Sequence, residues 1–172
     1  TLLGDGSLGG KGRGLAFLSN FIENVYLKKL IPDLHVAIPK TAVIGMNEFD
    51  NLLENNNLYD VIFEDKEYNH VLEAFRTARL SEQLRNNLRK YLQVMTKPLA
   101  VRSSGLFEDS LNQPFAGVYS TYLLPNNHPD IERRLEDVEN AIKLVFASIY
   151  SPESRAYFNA IDYMIEEEKM AD

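Results

Sequence analysis

Cysteine and tryptophan are absent from this sequence of 172 residues, and histidine occurs only three times. Without cysteine the chain can form no disulfide, no thiolate metal site and no cysteine nucleophile. Long hydrophobic runs are also missing, since a run such as residues 15–18 is far shorter than the ~20 residues that span a bilayer. We therefore expect no membrane-spanning segment, and because nothing resembles a secretory signal we predict a cytoplasmic location.

Positive charge is scarce, because 18 Lys and Arg residues stand against 25 Asp and Glu residues and give a formal net charge of −7. This balance disfavours binding to nucleic acid or to an anionic membrane over a broad surface. A site for a polyanion must therefore gather its cations locally.

The remaining composition is that of a globular protein, with 45% hydrophobic and 25% charged residues. A chain of this length holds one domain with a sizeable core, so we expect residues 1–172 to form a single domain. Six of the nine glycines lie between Gly4 and Gly14, and a functional loop seldom sits at a chain end. We therefore also expect the sequence to be an excised part of a longer protein.

The hydrophobic spacing predicts an α+β fold in which several helices pack on a small sheet. Helices are predicted over residues 15–30, after Asn47, over residues 68–75, after a cap at Ser81, from Pro129 onwards and after a cap at Ser151. Strands are predicted over residues 36–44, 99–103 and 118–124. The clearest pattern follows Pro129, where apolar residues from Ile131 to Ile149 recur at intervals of three and four.

The glycine-rich segment from Gly4 to Gly9 matches the dinucleotide fingerprint G-x-G-x-x-G. We interpret the match as accidental, because the fingerprint requires a preceding strand and only three residues come before it. A P-loop is excluded, since the residue after Lys11 is Gly12 where Ser or Thr is needed. Glycine amides, the cations Lys11 and Arg13 and a following helix remain compatible with anion binding, and a flexible loop with solvated cations is the open alternative.

Arg102 lies at the end of a predicted apolar strand and needs a carboxylate or a phosphate if it is partly buried. Two roles of Arg102 stay open, namely a structural ion pair with Glu108 or Asp109 and the binding of a phosphate. The loop that follows is rich in small polar residues, namely Ser103, Ser104, Gly105, Glu108, Asp109, Ser110 and Gly117. Such a loop is typical of a phosphate lid, and we expect residues 104–117 to pack poorly without a nucleotide.

Residues 99–126 contain Arg-Ser-Ser, Glu-Asp and Phe-Ala-Gly in this order, followed by a threonine. The segment resembles the N-terminal nucleotide-binding region of phosphoenolpyruvate synthase and pyruvate phosphate dikinase. The loop Gly9-Gly10-Lys11-Gly12, residues 38–41 and residues 146–156 are similar to the same family, so the resemblance extends over nearly the whole chain.

The resemblance implies the first subdomain of an ATP-grasp nucleotide-binding domain in a kinase-type phosphotransferase. ATP would lie between two subdomains, and a phosphoryl or pyrophosphoryl group would pass to a histidine on another domain and then to pyruvate or a related acceptor. By position, Lys11 and Arg102 would contact ATP phosphates, with Arg102 as the candidate catalytic residue. Gly117 and Thr121 would add a backbone amide and a hydroxyl.

The resemblance also implies that the Mg²⁺ ligands, the adenine-binding segment and the phosphohistidine lie outside this chain, which alone would be inactive. His35, His70 and His128 are expected to be ordinary surface or partly packed residues, and Glu108 and Asp109 to be partners of Arg102 and not metal ligands. Residues 105–107 depart from the small residues that familiar synthases have there, which leaves the acceptor open. The alternative function is a non-catalytic nucleotide-sensing or protein-interaction module on the same scaffold.

Overall fold

The structure is a computed structural model that describes residues 1–24, 33, 36–64, 67–105, 117–161 and 170–171. The helices within these ranges are α1 (Gly9–Asn24), α2 (Met46–Asn55), α3 (Leu58–Glu64), α4 (Tyr68–Thr77), α5 (Glu82–Val94), α6 (Ile131–Ala147) and α7 (Pro152–Ala160). The strands are β1 (Leu2–Leu3), β2 (Val43–Ile44), β3 (Leu99–Arg102), β4 (Ser104–Gly105), β5 (Thr121–Leu124) and β6 (Met170–Ala171). The fold is therefore the mixed helix and small-sheet architecture that the sequence predicts.

The hydrophobic core lies among the helices that follow β2. Helices α4 and α5 both pack on α6, whose apolar residues repeat at helical spacing and are buried along one face. Phe49 of α2 meets Phe146 of α6 edge to face, with ring centroids 5.1 Å apart. Burying one such aromatic side chain contributes about 1.5–3 kcal/mol, so this helical layer supplies much of the stability.

Helix starts follow two of the predicted caps, whereas the helix predicted after Asn47 begins at Met46 with Gly45 as its cap. The Ser81 hydroxyl accepts a hydrogen bond from the Leu84 amide, and Ser151 caps α7 with Pro152 in its first turn, as predicted. The cap of α6 is Asp130, one residue after the predicted start at Pro129. Helix α3 was not predicted, because the three asparagines at residues 55–57 indicated a longer break.

The described strands form three two-stranded sheets. Strands β1 and β2 are parallel, whereas β3 pairs with β5 and β4 pairs with β6 in antiparallel fashion. The predicted strand over residues 36–44 is confirmed only at Val43–Ile44, and Pro39, which has no N–H to donate, lies in the part that is not a strand. The strand predicted over residues 118–124 begins at Thr121.

Strand β3 was predicted to be buried, but its side chains alternate between half-buried and exposed. Only one face of the β3–β5 pair is covered, because α6 packs there. The opposite face presents the exposed residues Ala100, Arg102, Thr121 and Leu123. This open face of β3 and β5 carries two of the candidate site residues.

Helix α1 is confirmed as a helix, although it begins at Gly9 and not at the predicted residue 15, and several of its apolar residues are exposed. Phe17, Leu18 and Phe21 are 69%, 50% and 52% exposed, and the rings of Phe17 and Phe21 stack. None of the helices within the described ranges is long and apolar enough to cross a bilayer.

Candidate functional site

The glycine loop connects β1 to α1, and its three fingerprint glycines have a left-handed backbone. The φ angles of Gly4, Gly6 and Gly9 are 80°, 99° and 67°. Because β1 pairs with the parallel strand β2, the loop does lie between a strand and a helix, contrary to our premise that no strand precedes it. The strand is only two residues long, which is too short for a hydrophobic pattern to indicate it.

Packing within the chain accounts for these glycines. A Cβ atom on Gly9 would overlap the carbonyl oxygen of Ser104, and one on Gly6 would lie 2.6 Å from the side-chain oxygen of Asn47. Side chains other than hydrogen are disfavoured at positive φ as well. The loop therefore needs glycine in order to fit against α2 and β4, whether or not a ligand binds.

Backbone hydrogen bonds attach the loop to the start of α2. The Met46 amide donates to the Ser7 carbonyl at 3.1 Å, and the Asn47 amide donates to the Asp5 carbonyl at 3.3 Å. Amides in the first turn of a helix have no partner within the helix. These contacts therefore give a hydrogen-bond partner both to the α2 amides and to the loop carbonyls. The loop carbonyls are thereby turned towards α2.

Ser104 joins the loop to the strand segment that follows Arg102. Its hydroxyl oxygen accepts a hydrogen bond from the Gly12 amide at 2.9 Å, and its hydroxyl donates to the Leu8 carbonyl at 2.8 Å. The residue is 4% exposed. The sequence suggests that Ser104 is a donor on a phosphate lid. In the structure its hydroxyl instead forms hydrogen bonds with the first turn of α1.

Lys11 lies in the same first turn and points towards the end of β3. Its half-buried side chain donates a hydrogen bond from Nζ to the carbonyl oxygen of Ser103 at 3.3 Å. Ser103 directly follows Arg102, so the structure brings the Lys11 ammonium beside the strand end that carries Arg102.

Arg102 and Thr121 are direct partners across the β3–β5 ladder. Opposite residues of an antiparallel pair project from the same face, and both of these side chains are exposed. Among the residues that the structure describes, none makes a hydrogen bond or ion pair with the Arg102 guanidinium. The proposed structural partners Glu108 and Asp109 lie outside the described residues.

Gly117 precedes β5 and has a φ of 81°. A Cβ atom at this position would have no neighbouring atom within 4 Å, and the residue is exposed. Its conformation favours glycine, and its backbone is open to solvent. The chain immediately before it, residues 106–116, lies outside the described residues and contains most of the predicted lid.

The donor set fits an anion better than it fits a metal ion. Lys11, Arg102 and Thr121 offer an ammonium, a guanidinium and a hydroxyl, which are groups that bind phosphate oxygens. Within the described ranges, no group of three His, Asp or Glu side chains could hold a metal ion. His70 and His128 are exposed, and His35 lies outside those ranges.

Sequence reasoning missed the connecting role of Ser104 entirely. Its hydroxyl contacts residues 92 and 96 positions away, and no local pattern reports such a contact. The signal that existed was the glycine at position 9, since glycine is needed where another backbone comes close.

The profile of one protein family matches almost the whole chain. This family is described as pyruvate phosphate dikinase, AMP/ATP-binding domain, and the match covers residues 5–171. The matched range includes the four candidate residues Lys11, Arg102, Gly117 and Thr121. Neither a curated protein nor a solved structure matches the chain.

Proposed function

Because this chain belongs to the family of pyruvate phosphate dikinase AMP/ATP-binding domains, we propose that it holds the polyphosphate of ATP through Lys11, Arg102, Gly117 and Thr121. In the whole protein, the phosphoryl or pyrophosphoryl group would pass to a histidine on another domain and from there to pyruvate or a related acceptor. We also propose that this protein works in the cytoplasm.

The single observation that carries the proposal is the state of the Arg102 guanidinium. It is exposed opposite Thr121, and no described residue pairs with it. The Lys11 ammonium lies at the carbonyl of the next residue in the chain. On a protein with a net charge of −7, two cations gathered at one strand end favour an anionic ligand locally.

Each residue would contribute a distinct interaction with the phosphates. The planar guanidinium of Arg102 can donate two parallel hydrogen bonds to one phosphate, whereas Lys11 acts as a compact point charge. The Thr121 hydroxyl and the Gly117 amide would donate to further phosphate oxygens. Together these groups would neutralise the polyphosphate and orient it before transfer.

Magnesium is implied by the family chemistry, in which the ion would neutralise charge on the phosphates. The described residues do not fit a magnesium site, because they contain no group of three side chains that could ligate a metal. We propose that its ligands lie outside this chain.

The test compares ATP affinity and stability in the same arginine variants. Arg102→Ala should weaken ATP binding, measured by titration calorimetry or NMR, by about 10- to 150-fold, because a hydrogen bond to a charged group contributes about 1.5–3 kcal/mol. Arg102→Lys should recover only part of the loss, since the bidentate geometry is gone. Both variants should unfold in urea within about 0.5 kcal/mol of the wild type, as exposed substitutions do.

Arg133→Ala is the matched control, because it removes the same charge from an exposed arginine of α6. Its ATP affinity should equal that of the wild type. If Arg102→Ala binds ATP as tightly as Arg133→Ala does, the proposed function is wrong.

A further inference from the structure

The Ser104 hydroxyl is inserted into the first turn of α1. In an uninterrupted helix the amide of Gly12 would donate to the carbonyl of Leu8, four residues earlier. Here the hydroxyl lies between the two groups, because it accepts from Gly12 at 2.9 Å and donates to Leu8 at 2.8 Å. The geometry of this turn therefore depends on a residue from another part of the chain.

The surroundings leave the hydroxyl little freedom. Ser104 is 4% exposed, and Gly9 packs so closely that a Cβ atom there would overlap the Ser104 carbonyl. A Cβ atom on Gly12 would lie 3.0 Å from the Cβ of Leu8 and 3.6 Å from the Ser104 hydroxyl oxygen. Strand β4 and the start of α1 are thus closely packed on both sides of the Ser104 bridge, by which we mean the hydroxyl that links the Gly12 amide to the Leu8 carbonyl.

This bridge connects the two segments that carry the cations. Lys11 belongs to the bridged turn, and Arg102 comes two residues before Ser104. We propose that Ser104 is a positioning residue, whose hydroxyl sets the placement of the Lys11 ammonium relative to Arg102 and thereby the affinity for polyphosphate. The assignment rests on the proposed function, because it concerns the same two cations.

Removing the hydroxyl should change the turn more than the stability of the fold. Without it, the Leu8 carbonyl and the Gly12 amide are free to bond directly to each other, as in a regular helix. Both backbone groups then keep a partner, so no buried polar atom is left unsatisfied. The turn closes, and the Lys11 side chain is carried away from its place beside β3.

The experiment measures the ATP dissociation constant of the 172-residue chain by NMR titration, with urea unfolding of every variant. Ser104→Ala should weaken binding by about 3- to 10-fold, the equivalent of one net hydrogen bond. The matched control is Ser154→Ala, which removes another fully buried hydroxyl that donates to a backbone carbonyl, in helix α7. This control should lower stability without changing the dissociation constant.

A double-mutant cycle distinguishes positioning from general damage. If Ser104 acts through Lys11, then Ser104→Ala should change the affinity by less than about twofold in a Lys11→Ala background. An equal loss in both backgrounds overturns the assignment. If Ser104→Ala does not fold, Ser104→Cys retains a side chain of similar shape with a weak donor, and the same loss of affinity is expected.

The outcomes also separate this inference from the proposed function. If Lys11→Ala and Arg102→Ala weaken binding while Ser104→Ala behaves like Ser154→Ala, the positioning role is wrong and the proposed function stands. If neither Lys11→Ala nor Arg102→Ala weakens binding, the proposed function fails, and the role of Ser104 fails with it.

Discussion

Lys11 and Ser103 are 92 positions apart in the sequence, yet the Lys11 ammonium donates a 3.3 Å hydrogen bond to the Ser103 carbonyl. A backbone carbonyl is a fixed acceptor, because it moves only when its strand moves. The contact therefore ties the first turn of α1 to the chain directly after β3, the strand that ends at Arg102.

The chain alone should not turn over ATP. The proposed function places the magnesium ligands and the histidine that accepts the phosphoryl group outside this chain, and phosphoryl transfer from ATP depends on both. A coupled assay for AMP, ADP and phosphate, run with and without pyruvate, should give the rate of the buffer blank. Sustained release of product above that rate contradicts the prediction.

Gly9→Ala should destabilise the protein by about 2–4 kcal/mol, because it combines a left-handed backbone with overlap against the Ser104 carbonyl. Gly14→Ala in the same helix is the matched control, since a Cβ atom there meets nothing within 4 Å. That variant should gain about 0.5–1 kcal/mol from better helix propensity. Urea unfolding measures both, and changes of the same sign would show that packing against Ser104 is unimportant.

Lys143→Met should cost about 1–3 kcal/mol, because the buried ammonium donates to carbonyls at the end of α4 that would lose their donor. The distances are 2.6 Å to the Arg76 carbonyl and 3.3 Å to the Ala78 carbonyl. Lys90→Met, on the exposed side of α5, is the control and should stay within about 0.5 kcal/mol of the wild type. Equal unfolding midpoints for the two variants would exclude a stabilising role for Lys143.

Deprotonation of the Tyr68 hydroxyl should lower the free energy of unfolding at high pH. Burial, with smaller effects from Tyr122 and Glu153, raises the pKa of the Tyr68 hydroxyl to about 12 from its ordinary value of 10.0. Because the folded state holds this proton more tightly than the unfolded state, the contribution is complete below pH 10 and is lost between about pH 10 and 12. A shift of this size corresponds to about 3 kcal/mol for a fully buried group, and because Tyr68 is only half-buried, solvent screening reduces the contribution to about 1–2 kcal/mol.

Unfolding of the wild type and Tyr68→Phe in urea at several pH values tests this linkage. The stability difference between the two proteins should change by about 1–2 kcal/mol across that interval, with the wild type losing more. Parallel pH profiles would rule out a perturbed Tyr68.

The helices could be predicted from the sequence where their signals are local. The interval of three and four residues after Ile131 defines α6, and Ser81 and Ser151 cap the helices that follow them. Strands need partners that are distant in sequence, so their extents were less predictable. Ser104–Gly105 becomes a strand only because it pairs with Met170–Ala171, which no local pattern reveals.

The candidate site, too, could be predicted from the sequence only where its signals are local. A cation at Lys11 and one at Arg102 can be read directly, but their relation to one phosphate site came from family resemblance. The pairing of Arg102 with Thr121 depends on the register of β3 and β5, and the Ser104 bridge depends on the whole tertiary arrangement. The joint action of Lys11, Arg102, Gly117 and Thr121 on a ligand stays a prediction.

The bridge from Ser104 to Leu8 spans 96 positions, and this separation has a consequence for the order of folding. Helices α2 to α5 lie within the enclosed segment and can begin to pack through contacts that are much closer in sequence. Closing so long a loop is entropically costly and is compensated only when the segments between its ends are already compact. We therefore expect the local packing of α2, α3 and α4 to form early and the turn around Lys11 to acquire its final geometry in the last stage of folding.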